Sequence, residues 1–373
     1  MIKFAVVGAN GFIGARITEM FALREDVKVR PIVRGYASLA RASRFDLELR
    51  IADAFDQETL QIAFQGCDVV VHTVAGDIKT ILGTLTPVYQ AAQKAGVQRL
   101  VYLSSASVHG QAPQPGTDET SALSDQQVLP YNNAKVQAEW TLSELRNQGD
   151  VELVVLRPGI VFGPRSSWVI NFADALLTGR ASLHNRGEGI CNSIYVDNLV
   201  HAIYLSATQP SIDREVFLLG DQECVTWADL YRPIVTALGY ELSDLPEGVI
   251  SKQARKQKPS WFERLEPIRV SKPVQGLLSI VPHKFRVAAY RAYETILEPQ
   301  GDSSPIPSED RQPVISLEMA MLYSCKYKLL HRKAARILGY QPPVSFHEAI
   351  RRTIGWLAFA GHPIKSERLE TIL

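Results

Sequence analysis

Tyr131 and Lys135 stand four apart in Tyr131-Asn132-Asn133-Ala134-Lys135, at the start of a helical stretch. That spacing puts both side chains on one helix face. A phenol titrates near ~10 in isolation, and a nearby ammonium favours its ionised form, so Lys135 is expected to lower Tyr131 toward working pH. A phenol tuned in this way takes a proton from an alcohol or returns one to a ketone. Upstream lies a serine cluster, Ser104-Ser105-Ala106-Ser107-Val108-His109-Gly110, followed by a polar, proline-rich loop over 111–129. A lone Y-x-x-x-K arises by chance on many helices. Its weight here comes from following a strand and a serine cluster in a chain that opens on a glycine turn.

That opening is Met1–Gly14, an apolar run from Ile2 to Val7 leading directly into Gly8-Ala9-Asn10-Gly11-Phe12-Ile13-Gly14. Apolar residues then recur at Phe12, Ile13, Ile17, Met20 and Phe21, a helical spacing. Strand, glycine turn and helix begin a dinucleotide-binding βαβ unit. Gly8 suits a tight turn, Gly11 lets the backbone approach a pyrophosphate, and Gly14 lets the helix pack on the strand. The free N–H groups of the helix start, around Asn10, Phe12 and Ile13, face the phosphates. A second strand, Val27–Val33, ends at Arg34. A carboxylate there would favour NAD, whereas Arg34 suits a 2′-phosphate and tilts the expectation to NADP over NAD.

Further elements have to position these groups. Strands are expected over 45–51, 67–72, 98–103 and 151–156, with a helix over 56–64 that Asp53 or Asp56 would cap. A helix over 78–95 contains Pro87, which should kink or divide it. The small residues after 67–72, Thr73-Val74-Ala75-Gly76, would let a cofactor lie close. Alternating strands and helices imply an α/β fold, a Rossmann doubly wound parallel sheet with helices on both faces. The domain expectation is a nucleotide-binding core over 1–165. A smaller C-terminal substrate lobe over 166–373 is interleaved with the last core strands and carries a basic insertion at 245–320.

With these motifs in order, the chain resembles the extended short-chain dehydrogenase/reductase family, which includes NAD-dependent epimerases, dehydratases and 3β-hydroxysteroid dehydrogenases. The resemblance covers roughly residues 1–240 and returns at 330–357. It implies a Ser–Tyr–Lys trio at Ser105, Tyr131 and Lys135, with Ser105 selected by counting back from Gly110, which stands in the family's V-Y-G place. His109 replaces the usual tyrosine there. It further implies that Lys135 bonds the nicotinamide ribose and Asp53 contacts adenine. Arg157-Pro158-Gly159-Ile160-Val161-Phe162-Gly163-Pro164 matches the family turn bordering the nicotinamide, which brings in Pro158. Tyr195-Val196-Asp197-Asn198 matches a later motif, where Asp197 is expected to be structural. Sugar-nucleotide members place an arginine just before that motif; here Asn192 stands near that place, a poor diphosphate clamp.

The composition is that of an ordinary globular protein, with 46% hydrophobic and 21% charged residues among 373. Four distant cysteines without a C-x-x-C point to a reducing compartment and no structural metal. No signal peptide or spanning run is evident, so a cytoplasmic location is the default. Residues 251–297 hold Lys or Arg at 252, 255, 256, 258, 264, 269, 272, 284, 286 and 291 against Glu at 263, 266 and 294. One reading is a peripheral contact with an anionic membrane; the other is a helical lid or oligomer contact. No motif supports nucleic-acid binding, and residues 299–313 read as a loop. The resemblance implies a homodimer through the fourth and fifth helices. The leading function is an NAD(P)-dependent oxidoreductase interconverting a secondary alcohol and ketone on an apolar, sterol-like substrate. The alternatives are a sugar-nucleotide epimerase or dehydratase and a non-catalytic nucleotide-sensing scaffold.

Overall fold

Ile2–Val7 (β1) is buried along its last four residues, which places it in the middle of a sheet covered on both faces. A computed structural model describes residues 1–35, 42–250 and 313–365. The chain divides into two compact units, 1–248 with 318–373, and 249–317. In the smaller unit, Val249–Ile250 pairs in parallel with Val314–Ile315. The basic segment 251–297, its membrane reading and most of the loop 299–313 lie outside the described residues.

In the larger unit, β1 lies between Val27–Val33 (β2) and Val69–His72 (β4). Arg50–Ile51 (β3) closes one edge; Arg99–Leu103 (β5), Glu152–Pro158 (β6) and Val216–Leu219 (which we label β10) extend the other. The order is β10-β6-β5-β4-β1-β2-β3, and the pairs are parallel throughout. Strand order reverses between β1 and β4, so the crevice for a ligand opens at their carboxyl ends. Phe12–Ala22 (α1) and Val196–Thr208 (α7) cover one face; Gln57–Phe64 (α2), Leu85–Lys94 (α4) and Pro130–Gln148 (α5) cover the other.

Local chemistry accounts for the departures from expectation. The strand expected over 45–51 shrinks to Arg50–Ile51. The Leu49 N–H is spent on the Leu47 carbonyl at 2.9 Å, and Glu48 is drawn to Lys3, Arg30 and Arg50. Pro87 divides its helix as anticipated, into Ile78–Gly83 (α3) and α4. It sits in the first turn of α4, where an N–H would lack an intrahelical partner anyway. Asp56, not Asp53, caps α2, accepting from the Glu58 and Thr59 N–H groups. Asp53 instead accepts from the Phe55 N–H.

Beyond β6 the chain runs through Ile160–Phe162 (β7), Ser167–Leu177 (α6), Ile190–Cys191 (β8) and Ser193–Tyr195 (β9) before α7, and after β10 through Val225–Thr226 (β11) and Trp227–Ala237 (α8). Leu317–Tyr323 (α9), Arg332–Leu338 (α10) and Phe346–Phe359 (α11) follow. Among the described residues no helix is long and apolar enough to cross a membrane. Asp197 is structural, as expected, and acts as a hub. Its buried carboxylate takes Arg16 of α1 at 2.6 and 2.8 Å and Arg352 of α11 at 3.3 Å. Three helices are thereby joined through one side chain. Both arginines retain access to water, which softens the effect of losing their partner. Asp197→Ala is expected to lower stability by about 2 kcal/mol in urea unfolding, with Arg16→Ala costing less.

Candidate active site

Gly8 takes a φ of +86°, and a Cβ on it would lie 2.8 Å from Thr73 Oγ1. A Cβ on Gly14 would lie 2.3 Å from the Gly8 carbonyl, so only glycine lets α1 sit this close to the turn. At Gly11 a Cβ would meet only Gly8 O, at 3.3 Å. The backbone there faces open space, a cradle of the kind a pyrophosphate occupies. The turn carries Phe12 and Ile13 to a cleft of about 470 Å³. Ala75, Ser105, Tyr131, Lys135 and Pro158 line the same cleft. Gly8, Asn10, Gly11, Gly14, Arg34 and Asp53 do not. Asn10 faces a smaller hollow with Val33 and Phe45, and Arg34 is exposed at the end of β2.

Pro130 opens α5 at its first position, where its fixed φ suits a helix start. Tyr131, Lys135 and Glu139 then follow at successive intervals of four along one face. The extended backbone of Ser105 starts a 3₁₀ turn over 106–109, and its Oγ accepts the Ser107 N–H at 3.1 Å. That leaves the Ser105 proton for Tyr131, whose phenol it hydrogen-bonds and pulls down. Lys135 does not do what the spacing suggested. Its Nζ donates to the Leu103 carbonyl at 2.8 Å and to Tyr102 Oη at 3.3 Å, and lies over the Tyr102 ring. Burial, the dominant influence, pushes the Tyr131 phenol up, Ser105 opposes it and the Glu318 carboxylate adds to it. Burial also pushes Lys135 down to about 8, with Glu139 working against the shift. The expected lowering of Tyr131 by Lys135 is therefore absent from this arrangement.

A buried network lies behind the trio. Glu139 Oε1 accepts from Ser104, and both its oxygens accept from Arg157, at 3.0, 3.2 and 2.6 Å. Arg157 Nη1 reaches His109 Nε2 at 3.1 Å and the Glu119 carbonyl at 3.3 Å. A guanidinium only donates, so His109 Nε2 accepts and the ring is neutral. Desolvation, then Arg157, brings His109 down to about 4. This gives the unusual histidine a role: it replaces a tyrosine with an acceptor for Arg157. Asn192 is committed elsewhere, donating to the Tyr327 carbonyl at 3.0 Å and accepting the Leu329 N–H at 2.8 Å. The cleft is also walled by Trp168, Trp227, Leu322 and Leu329, and Gln111 and Glu318 line it as well. Sequence reasoning missed this wall and the Gln111–Glu318 pair. Glu318 lies 207 residues from Gln111, and no motif marks either.

A family description, the NAD-dependent epimerase/dehydratase family, matches residues 4–220. The chain belongs to this family. Among curated relatives, a UDP-glucose 4-epimerase of Vibrio cholerae is 26% identical over 265 residues, 65% of this chain and 77% of that protein. A mouse sterol-4-alpha-carboxylate 3-dehydrogenase (decarboxylating) is 25% identical over 373 residues, 94% of this chain and 90% of that one. Among solved structures, the UDP-glucuronic acid 4-epimerase of Bacillus cereus, in complex with UDP-glucuronic acid and NAD, shares the fold. Its TM-score is 0.67 at 14% identity, over 96% of this chain and 100% of that one. Family members thus include both sterol and sugar-nucleotide enzymes, and the two expectations drawn from sequence both have relatives.

The His109 ring tests the network without touching Ser105, Tyr131 or Lys135. It stays neutral in the fold down to about pH 4, but takes a proton near 6.5 once unfolded. The unfolded chain therefore binds more protons as pH falls from 6.5 toward 4, and stability is lost over that window. Between pH 7 and pH 5 the wild type should lose about 1 kcal/mol more than His109→Gln in urea unfolding, after allowance for partial solvent access.

Proposed function

We propose that this protein is an NAD(P)-dependent oxidoreductase that interconverts a secondary alcohol and a ketone on a largely apolar substrate. The observation that carries this reading is the cleft itself. It is lined by Ser105, Tyr131 and Lys135 together with Phe12 and Ile13 of the glycine turn and by Trp168, Trp227, Leu322 and Leu329, and has no arginine lining it among the described residues. The residues fit a dinucleotide: Gly8, Asn10, Gly11, Phe12, Ile13 and Gly14 would hold the pyrophosphate, Arg34 and Asp53 the adenosine end, and Ala75, Lys135 and Pro158 the nicotinamide end. When bound, that group supplies the two-electron donor or acceptor.

The protein's own residues manage the substrate oxygen. Tyr131 takes its proton on oxidation and returns it on reduction. Ser105 donates to the same oxygen as charge develops there. Lys135, anchored on Leu103, offers a cation to the cleft where the dinucleotide and Tyr131 would meet. Arg34 suits a 2′-phosphate and favours NADP, in contrast to the Bacillus cereus enzyme, whose structure holds NAD.

A second reading, a sugar-nucleotide epimerase, has the Vibrio cholerae relative in its favour. Against it, Asn192 spends its amide on the 327–329 backbone and offers nothing to a diphosphate. Net oxidation or reduction of an alcohol or ketone separates the two.

Tyr131→Phe is expected to lower turnover about a hundred- to ten-thousandfold while leaving nucleotide affinity nearly unchanged; retained turnover would remove Tyr131 from the mechanism. Arg34→Asp should raise the Kd for NADPH about tenfold more than that for NADH. Equal effects on the two nucleotides would take Arg34 out of cofactor choice.

A further inference from the structure

The substrate end of the cleft holds a carboxylate that the reaction does not use. Glu318, in the first turn of α9, lines the cleft with Ser105, Ser107, Gln111 and Tyr131. Its Oε1 accepts from Gln111 Nε2 at 3.0 Å. Gln111 is itself buried, 6% exposed, so the amide is a fixed support rather than a surface side chain. Among the described residues no donor reaches Oε2. Glu318 also lies close enough to Tyr131 for its charge to act on that phenol, and both side chains line the one cleft.

Charge in the cleft is otherwise sparse. Among the described residues, Lys135 and Glu318 are the only Lys, Arg, Asp or Glu side chains that line it. Lys135 is occupied by Leu103 and Tyr102. An anionic group near Glu318 would therefore meet a like charge in a partly dehydrated site walled by Trp168, Trp227 and Leu322, while the cleft's cation, Lys135, is tethered to Leu103 and Tyr102. A hydroxyl or ammonium would find a waiting acceptor.

We propose that Glu318, held in place by Gln111, determines substrate specificity: it selects substrates bearing a hydrogen-bond donor next to the reacting carbinol and rejects those bearing a carboxylate or phosphate there. This deepens the alcohol–ketone reading and rests on the same cleft. It makes the substrate a neutral or cationic compound with an aromatic or alicyclic body and a vicinal donor.

Four matched probes test it: 1-phenylethane-1,2-diol, 2-amino-1-phenylethanol, 1-phenylethanol and mandelate. Binding to the full-length protein is read from tryptophan fluorescence, since Trp168 and Trp227 line the cleft. Turnover with NADP⁺ and NAD⁺ is read separately. Wild type, Glu318→Gln and Glu318→Lys are compared after circular dichroism has established that each is folded. The wild type should bind the diol and the amino alcohol at least about tenfold more tightly than mandelate. That ratio should fall to within about threefold in Glu318→Gln and invert in Glu318→Lys. The same ratio in all three proteins, or no binding of the diol and amino alcohol to the wild type, overturns the proposal. Glu318-dependent binding without turnover of any probe upholds the role of Glu318 and overturns the alcohol–ketone reaction instead.

Discussion

The buried ion pair between Arg157 and Glu139 holds the site together. A carboxylate and a guanidinium withdrawn from water are destabilising unless nearly every donor and acceptor finds a partner. Here Ser104, His109 and the Glu119 carbonyl complete the set. The pair joins β6 to α5, Ser104 ties in the end of β5, and His109 ties in the turn that begins at Ser105. Glu119 in turn accepts the Leu218 N–H of β10 at 2.9 Å. Ser105 comes from the turn after β5 and Tyr131 and Lys135 from α5, and this network fixes the two segments relative to one another.

A second set of buried polar contacts closes the other side of the cleft. Asp221, pushed up to about 6 chiefly by burial, accepts from the Tyr195 N–H and from Asn198. Asn198 reaches the Val344 backbone in both directions, and Asn192 does the same at Tyr327 and Leu329. The chain after 318 is thereby stitched to the strands that follow β6, which delivers Leu322, Leu329 and Glu318 to the cleft. A Cβ on Gly159 would fall 1.9 Å from the Asn192 carbonyl, so the turn after Pro158 is part of the same closure.

Much of this was legible in the residues. The glycine turn, the strand endings and the Tyr131–Lys135 spacing are local patterns, and local patterns survive folding. Pro87 divided its helix because the missing N–H acts wherever the residue sits. The third strand was misjudged because Glu48, in the middle of the expected run, is drawn to Lys3 and Arg30, whose places are set by the rest of the fold. Lys135 was misjudged for a related reason: spacing puts it on the same face of α5 as Tyr131, but the Leu103 carbonyl that captures it belongs to β5. Glu318 carries no motif and meets Gln111 only through tertiary contact. Chemistry set by neighbours in sequence was readable; chemistry set by neighbours in space was not.

The most direct test of the account is a fluorescence titration of the purified protein with NADPH and with NADH, after assay of the sample for retained nucleotide. The protein should purify without nucleotide, bind NADPH saturably and bind NADH more weakly. Failure to bind either nucleotide would contradict the redox site, and a tightly held NAD that co-purifies would contradict a dissociable cofactor and point to chemistry without net oxidation.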